Sequence, residues 1–261
     1  MQRYIKKQLL EWKNRKDRKP LILKGARQVG KTYILKEFGE EEYENIAYFN
    51  FDHDENLKEL FVNTKDPKRI LEQLALVAGK AIKPGKTLII FDEIQECSDA
   101  LNSLKYFQEE ANEYHVACAG SLLGIKLSHT SFPVGKVEYL EMYPMTFSEF
   151  LMADGSQNLV EYMNKIKNIE KIPDIMFTRL NEKIKTYFII GGMPEAVRTW
   201  VNTRDIEAVN RIQSQILQGY EDDFGKHIDT SNMQAKISII WESIISQLSK
   251  ENKKFLYQTA K

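Results

Sequence analysis

The segment from Gly25 to Thr32, GARQVGKT, has the residue types and the spacing of a phosphate-binding loop. It fits the pattern G-x-x-x-x-G-K-[ST] at every fixed position. Gly25 and Gly30 allow the backbone to curl so that several N–H groups face inward, and the start of a following helix adds its positive end at the same point. Such a loop is built to bind a polyphosphate.

The side chains of this loop have separate predicted roles. Lys31 is expected to reach the β- and γ-phosphates of a nucleoside triphosphate, which gives it a catalytic as well as a binding role, and the Thr32 hydroxyl is expected to coordinate Mg²⁺. We predict ATP as the nucleotide. The predicted binding residues are Gly25, Ala26, Arg27, Gln28, Val29, Gly30, Lys31, Thr32 and Tyr33, of which Arg27 and Gln28 are expected to support the loop without a catalytic role.

Two acidic residues, Asp92 and Glu93, end the apolar run Leu88 to Phe91. We predict that Asp92 holds Mg²⁺, directly or through a water, and that Glu93 orients and polarises the water that attacks the γ-phosphate. An acidic pair after a strand is, on its own, typical of a solvated turn. The phosphate loop about sixty residues upstream is what favours the functional interpretation.

A third polar residue, Ser121, follows the apolar run His115 to Ala119. If that strand lies between the strands that lead to Gly25 and Asp92, the Ser121 hydroxyl is placed to contact the γ-phosphate or the attacking water, which makes it a catalytic candidate. A serine after a glycine is equally typical of a helix N-cap, here for a helix from Leu122 onward. Both interpretations stay open at this point.

Short apolar runs alternate with helical patterns along the first half of the chain. Strands are predicted at 21–23, 46–51, 87–91, 115–119 and 137–143, and helices at 4–12, 32–38, 67–79 and 99–112. The first helix is expected to have Tyr4, Ile5, Leu9 and Trp12 on one apolar stripe, and the second to stop at Gly39. This alternation predicts an α/β fold with a mainly parallel sheet covered on both faces. From Pro144 onward the strand signals fade. Helices are predicted at 147–152, 159–166, 175–190, 195–201, 206–220 and 233–248.

Composition and charge exclude several classes of protein. Lys+Arg and Asp+Glu both total 37, so the formal net charge of zero provides no global field for nucleic acid or for an acidic partner. Cys97 and Cys118 have no partners at metal-ligand spacing, which predicts reduced thiols in a cytoplasmic protein. The sequence contains no signal peptide and no run of about 18 apolar residues, so we predict no membrane association.

Together these motifs resemble the AAA superfamily of P-loop ATPases. GARQVGKT is similar to Walker A, LIIFDE to Walker B with the extra glutamate, and Ser121 to a sensor-1 position. The segments AGSLLGIKL, SFPVGKVEYLEMYPMTFSEFL and GGMPEAV resemble prokaryotic ATPases that carry a C-terminal domain of unknown function. The resemblance covers nearly the whole chain. It implies a P-loop NTPase three-layer sandwich with a five-stranded parallel sheet, the Ser121 strand lying between those of Walker A and Walker B, followed by a helical lid.

The resemblance also implies a domain scheme and partners. We expect a nucleotide-binding domain at 1–145, a lid at 146–230 and, at 231–261, the start of a winged-helix segment in a fragment of a longer protein. A protein or DNA partner would then bind through the missing C-terminal region, and a homo-oligomer is a candidate assembly. Arg198, Arg204 and Arg211 are candidates for an arginine finger or a sensor-2 arginine.

These observations lead to two functional hypotheses. The first is a Mg²⁺-dependent ATPase that acts as a conformational switch. The alternative is a nucleotide-gated module that binds DNA or protein with negligible turnover, which is motivated by the unidentified arginine finger and by basic runs such as Lys6-Lys7 and Arg15-Lys16.

Overall fold

The computed structural model describes residues 1–52, 54–121, 135–166, 171–224 and 231–250, with only the backbone described at 121, 224 and 231–234. The elements, in chain order, are α1 (Ile5–Asn14), β1 (Leu21–Gly25), α2 (Lys31–Glu42), β2 (Asn45–Asn50), α3 (Glu55–Asn63), α4 (Pro67–Ala78), β3 (Thr87–Asp92), a 3₁₀ helix (Ile94–Glu96), α5 (Ser98–Glu110), β4 (His115–Ser121), β5 (Glu138–Met142), α6 (Phe147–Ala153), α7 (Gln157–Lys165), α8 (Asp174–Ile190), α9 (Pro194–Thr203), α10 (Ile206–Phe224) and α11 (Ser231–Leu248).

The five strands form one sheet in the order β2-β3-β4-β1-β5, and every pair is parallel. β1 is therefore flanked by β4 and β5, with Gly25 opposite Ser121 on one side and Met142 on the other. The predicted parallel sheet, with β4 between β1 and β3, is confirmed. This order brings the carboxyl ends of β1, β3 and β4 to one edge of the sheet, where crevices that bind ligands form in open α/β sheets.

Alternating side chains of the strands build two separate cores. Leu21 and Leu23 of β1 pack with Ile34, Leu35 and other residues of α1 and α2 on one face. Ile22 packs on the opposite face, in a cluster that includes Leu57 of α3 and residues of α4 and α5. Because both faces of the sheet are buried by helices, the central strands β1 and β3 read as continuous apolar runs at Leu21–Leu23 and Leu88–Phe91. The predicted three-layer α/β sandwich is confirmed.

Two details of the predicted helices near the sheet are wrong. The helix after the phosphate loop was expected to stop at Gly39, but α2 continues to Glu42. Gly39 lies on the buried face of that helix, where a Cβ atom would come within 2.8 Å of the Ile46 side chain, so the glycine serves close packing and not helix termination. Tyr4, placed on the apolar stripe of the first helix, is 49% exposed, and the buried residues of α1 are Ile5, Leu9 and Trp12.

The polar stretch after β2 contains a helix, α3, that the sequence patterns did not predict. Asp54 caps it by accepting a hydrogen bond from the Leu57 backbone N–H at 3.0 Å. Leu57, Leu60 and Phe61 are its buried face. The helix has 9 residues, which is too short for its periodicity to stand out among its acidic neighbours.

After β5 the described elements are helices, as predicted. Asp154, at the end of α6, ties three of them together, because its carboxylate is paired with Lys183 of α8 at 2.5 Å and with Arg204 at the end of α9. Chain contacts divide the molecule into two compact units, Met1–Ile206 and Glu207–Lys261. Within the second unit, Tyr220 stacks on Trp241 with ring centroids 6.0 Å apart. The predicted boundaries near residues 145 and 230 stay predictions.

Two further expectations concern the whole chain. Cys97 and Cys118 are both buried and free, as predicted. Over the described ranges, no helix combines the length and the apolar character that crossing a membrane requires.

Candidate functional site

The loop between β1 and α2 depends on its two fixed glycines for different reasons. Gly30, which precedes α2, has a φ of +93°, a left-handed conformation that glycine adopts without steric cost. At Gly25 a Cβ atom would lie 2.2 Å from the backbone oxygen of Met142 on β5, so only glycine fits there. The start of the loop packs directly against β5 at Gly25. This close packing lets the loop present its N–H groups at the start of α2.

The remaining loop residues divide into an exposed tip and a buried anchor. Ala26, Arg27 and Gln28 are exposed, and Gln28 has a left-handed φ of +63°. Val29 is fully buried in the core on the α1 and α2 face, so its side chain anchors the loop. Tyr33 is 60% exposed on α2, with its hydroxyl donating to Glu37 at 3.1 Å.

The Lys31 amine is folded back over the loop. Its Nζ donates to the carbonyl oxygens of Gly25 and Ala26 at 3.0 and 2.8 Å. Burial lowers the pKa of this amine below its usual 10.5, an effect that the nearby carboxylates of Glu93 and Asp92 partly oppose. The Lys31 amine thus lies close to both predicted acidic residues.

Thr32 and Asp92, the two predicted metal ligands, are in direct contact. The Thr32 hydroxyl lies 3.0 Å from each carboxylate oxygen of Asp92, which is 5% exposed at the end of β3. Tyr48 of β2 donates to Asp92 Oδ2 at 2.8 Å, and burial followed by this hydrogen bond raises the pKa of the Tyr48 phenol to about 12. Sequence analysis missed Tyr48 because it stands within an apolar strand, 44 residues away from the acid it contacts.

Glu93 follows directly in a left-handed conformation, with a φ of +50°. A residue with a side chain seldom adopts this conformation outside tight turns and functional sites. The turn directs the chain from β3 into the 3₁₀ helix, where Gln95 Nε2 donates to Glu93 Oε2 at 2.5 Å. The predicted water-activating residue and the predicted metal ligand are thus consecutive at the same edge of the sheet.

For Ser121 the structure describes the backbone but not the side chain. Its place at the end of β4, paired in register with Gly25, is the one that the resemblance implies for a sensor-1 position. Its side chain, and the helix it was alternatively expected to cap, lie outside the part of the chain that the structure describes. Both interpretations stay predictions.

A cavity of about 260 Å³ lies beside the loop in the first unit. It is lined by Met1, Arg3, Gln28, Gly30, Tyr33, Ile34, Met142, Met145, Pro194, Glu195 and Arg198. Among the three arginine candidates, Arg198 lines this cavity, Arg204 is paired with the buried Asp154, and Arg211 lies in the second unit. A mostly apolar cavity with a few polar groups at its edge is the ordinary form of a small-molecule site.

A buried arginine, Arg3, connects this cavity to the rest of the first unit. Its guanidinium donates to the Val29 carbonyl at 3.1 Å, to the Tyr143 carbonyl at 2.6 Å and to Glu149 at 3.2 Å. Glu149 also completes a capping box with Thr146 at the start of α6. The buried ion pair of Arg3 and Glu149 therefore links the phosphate loop, the residue that follows β5 and the start of α6. Nothing in the local sequence around Arg3 indicates this contact.

The residues at this edge fit Mg²⁺ bound together with a nucleotide. No cluster of three or more His, Cys, Asp or Glu side chains that could hold a metal occurs among the described residues. Mg²⁺ is ordinarily bound by one or two carboxylates, with substrate phosphates and water completing its oxygen shell. The adjacent hydroxyl of Thr32 and carboxylate of Asp92 are a donor set of this kind.

Comparisons with known proteins agree with this geometry. A family model described as an AAA domain matches residues 17–151, just over half of the 261-residue chain, and a model described as a domain of unknown function matches residues 181–261. No curated protein matches the chain.

Three solved structures are similar at low identity. AMPPCP-bound DnaA from Aquifex aeolicus is 13% identical over 98% of this chain and 83% of its own, with a TM-score of 0.44. The RuvB Holliday junction branch migration motor of Thermotoga maritima is 14% identical over 81% and 68%, with a TM-score of 0.46. The Aeropyrum pernix ORC1 protein in complex with DNA is 12% identical over 98% and 78%, with a TM-score of 0.41.

The match to the AAA domain model includes the phosphate loop, the acidic pair of β3 and all five strands of the sheet. With that model covering more than half of its length, the chain belongs to the AAA family of P-loop NTPases and carries a domain of unknown function toward its C-terminal end.

Proposed function

We propose that this protein binds Mg·ATP at the edge of the sheet formed by β1 and β3 and hydrolyses it to ADP and phosphate as a conformational switch. The observation that carries the proposal is the direct contact between Thr32 and Asp92, with Lys31 and Glu93 next to them in the chain and near enough to interact by charge. Four residues from two distant segments thus meet where the loop would place the end of a triphosphate.

Binding of the polyphosphate draws first on the loop. Its N–H groups and the start of α2 attract an anion, and the Lys31 amine exchanges the carbonyls of Gly25 and Ala26 for phosphate oxygens. This exchange is favourable because the positive charge of the ammonium is attracted more strongly by an anionic phosphate oxygen than by a neutral carbonyl. We therefore expect the Lys31 amine to move from the loop carbonyls to the phosphates when ATP binds.

The acidic residues supply the remaining chemistry. Thr32 and Asp92 would hold Mg²⁺, whose charge neutralises the phosphates when it is bound. Glu93 orients a water toward the γ-phosphorus and accepts one of its protons as the new oxygen–phosphorus bond forms. The bond between the γ-phosphorus and the bridging oxygen breaks, and that oxygen leaves with ADP.

The cavity beside the loop supports a role in holding the base of the nucleotide. It is lined by Gly30 and Tyr33, immediately next to the phosphate-binding backbone, and also by Met145 and Pro194. A flat apolar base fits a wall of methionine and proline side chains, and Glu195 and Arg198 provide polar groups at the rim. We propose adenine as the preferred base.

The test compares steady-state phosphate release by the wild type and by Glu93→Gln, alongside direct measurement of ATP binding. We expect the variant to bind ATP with wild-type affinity and to lose turnover by about a hundredfold or more, since a positioned general base contributes about 10²–10⁴-fold. Equal, measurable rates would remove Glu93 from the mechanism. Tight ATP binding with negligible turnover by the wild type would favour the alternative, a nucleotide-gated binding module.

Ion pairs near the N-terminus weaken one argument for the alternative that binds DNA, namely the basic runs of the sequence. Several basic residues of the N-terminal run are neutralised by acidic partners: Lys6 by Glu37 and Glu41, each at 2.7 Å, Lys13 by Glu42 at 2.9 Å, and Arg15 by Glu138. A surface whose cations already face carboxylates has less charge to offer to phosphates. A protein or DNA partner and self-association stay proposals, and a rate per subunit that rises with protein concentration would indicate that a second copy completes the site.

A further inference from the structure

The turn after β3 places a glutamine against the proposed water-activating residue. Gln95 Nε2 donates to Glu93 Oε2 at 2.5 Å, two residues further along the chain. Oxygens repel oxygens, so the side of the amide that faces the carboxylate has to be its NH₂ group. The bond is therefore charge-assisted, in the class that is roughly twice as strong as a bond between neutral groups.

The backbone of this turn is fixed from both sides. Ile94 and Cys97 flank the segment and are buried in the core on the α3, α4 and α5 face, with 0% and 5% of their surfaces exposed. The Glu93 carbonyl accepts from the Glu96 N–H at 2.9 Å, and the Ile94 carbonyl accepts from the Cys97 N–H at 3.2 Å. Gln95 is thus held on a short rigid segment, which limits where its side chain can reach.

The other polar side chains nearby are engaged with different groups. Tyr48 and Thr32 both bond to Asp92, and the Asn50 side chain accepts from the Asp52 N–H at 2.8 Å. Among the described residues, Gln95 is the only one whose side chain hydrogen-bonds to the Glu93 carboxylate. The buried Oε1 of Gln95 has no hydrogen-bond donor within the same described part of the chain, so the contact to Glu93 is the polar interaction that keeps this amide in place.

We propose that Gln95 is a positioning residue for ATP hydrolysis: its amide holds one oxygen of Glu93 and leaves the other oxygen turned to the attacking water. This inference rests on the proposed function of Glu93. The geometry requires such a support because Glu93 stands in a left-handed backbone conformation, and a carboxylate on a strained turn has no helix or strand to fix its rotamer. Glu93 also lies near enough to Lys31 for its charge to raise the pKa of that amine against the effect of burial.

The kinetic test replaces the amide by groups of similar length that cannot donate, Gln95→Met and Gln95→Glu. We expect kcat to fall by about tenfold or more in both variants with little change in ATP affinity, because a misplacement of about 1 Å can cost a hundredfold in rate. Gln108→Met is the matched control: Gln108 lies on α5, is half-buried and also has a buried Oε1 without a described partner. It should keep the wild-type kcat.

A double variant separates positioning from a general structural role. In a Glu93→Gln background, adding Gln95→Met should slow turnover no further, since the amide acts through Glu93. A Gln95→Met variant with wild-type kcat, or the same loss of rate in both backgrounds, would overturn the proposal.

The contact itself is tested without ATP, by the NMR signals of the Gln95 side-chain amide in the nucleotide-free protein. One of its two protons faces a carboxylate, so we expect the two resonances to be widely separated, to converge in Glu93→Ala and to stay separated in Gln108→Met. Convergent resonances in the wild type would refute the contact. A wild type that does not hydrolyse ATP would instead refute the proposed function, and the NMR arm would still decide whether Gln95 holds Glu93.

Discussion

Replacing Gly25 by alanine perturbs the phosphate loop through its closest backbone neighbour. The added Cβ would lie 2.2 Å from the Met142 backbone oxygen, whereas Cβ atoms essentially never come within 3.0 Å of another atom, so the loop and β5 have to separate by about 0.8 Å (3.0 − 2.2). Gly25 and Met142 are also register partners in the sheet, so neither can move alone. Overpacking of this kind costs about 1–3 kcal/mol of folding free energy.

The larger expected effect is on nucleotide binding. A displacement of about 0.8 Å stretches a hydrogen bond from about 2.9 Å to about 3.7 Å, beyond the usable range. A hydrogen bond between a loop N–H and a phosphate oxygen is worth about 1.5–3 kcal/mol. Its loss therefore raises the dissociation constant by about tenfold to a hundredfold. Isothermal titration with a non-hydrolysable ATP analogue measures this change, and urea unfolding measures the free energy of unfolding.

Gly79→Ala is the matched control for this variant. Gly79 follows α4 with a φ of +63°, and no atom lies within 4 Å of the position of its added Cβ. We expect about 1 kcal/mol of destabilisation from the left-handed backbone and unchanged affinity for the analogue. If Gly25→Ala binds the analogue as tightly as Gly79→Ala does, the close approach of β5 does not shape the phosphate site and the reasoning fails.

Two further predictions concern Asp92 and His115. Tyr48→Phe removes the hydroxyl that donates to Asp92 Oδ2, so we expect a loss of about 1–3 kcal/mol in the free energy of unfolding and a higher Mg²⁺ concentration at half-maximal turnover. Tyr143→Phe, which removes an exposed contact to Glu141, should change neither quantity, and equal behaviour of the two variants would contradict the role of Tyr48. Burial lowers the pKa of His115 from 6.5 to about 4, so the imidazole takes up a proton at a higher pH in the unfolded chain than in the folded one. The free energy of unfolding should therefore fall by about 3 kcal/mol at most as the pH drops from 6.5 toward 4. This loss of stability at low pH should be smaller in His115→Gln, as measured by urea unfolding at each pH. The same pH dependence of the free energy of unfolding in the variant would exclude His115 as the source of the loss.

The parts of the fold that sequence patterns predicted are those set by neighbours along the chain. The β1 and β3 runs are continuously apolar because both of their faces are buried, and Gly25 to Thr32 has a fixed spacing because one short loop has to bind one ligand. Asp92 and Glu93 could be predicted because they directly follow such a run. Ser121 could be placed at the end of β4 for the same reason, although the role of its hydroxyl stays a prediction.

The parts that could not be predicted depend on contacts between distant segments. Arg3 and Glu149 are separated by 146 residues, and the capping box that Glu149 forms with Thr146 does not indicate a distant arginine as a partner. The cavity beside the loop is lined in part by Pro194, which lies between the helices predicted at 175–190 and 195–201 and carries no sign of a binding role in the sequence. Gly39 was misjudged because a glycine required for close packing against Ile46 cannot be distinguished by sequence from one that ends a helix.

The buried position of Arg3 has a practical consequence for anyone who prepares this protein. A truncation that begins at residue 17, where the match to the AAA domain model starts, would delete α1 together with the guanidinium that Glu149 and two backbone carbonyls share. Glu149 would be left as an uncompensated buried charge, which typically costs about 3–5 kcal/mol. Met1 lines the cavity itself, so an affinity tag joined to it would stand at the proposed base site and interfere with binding measurements.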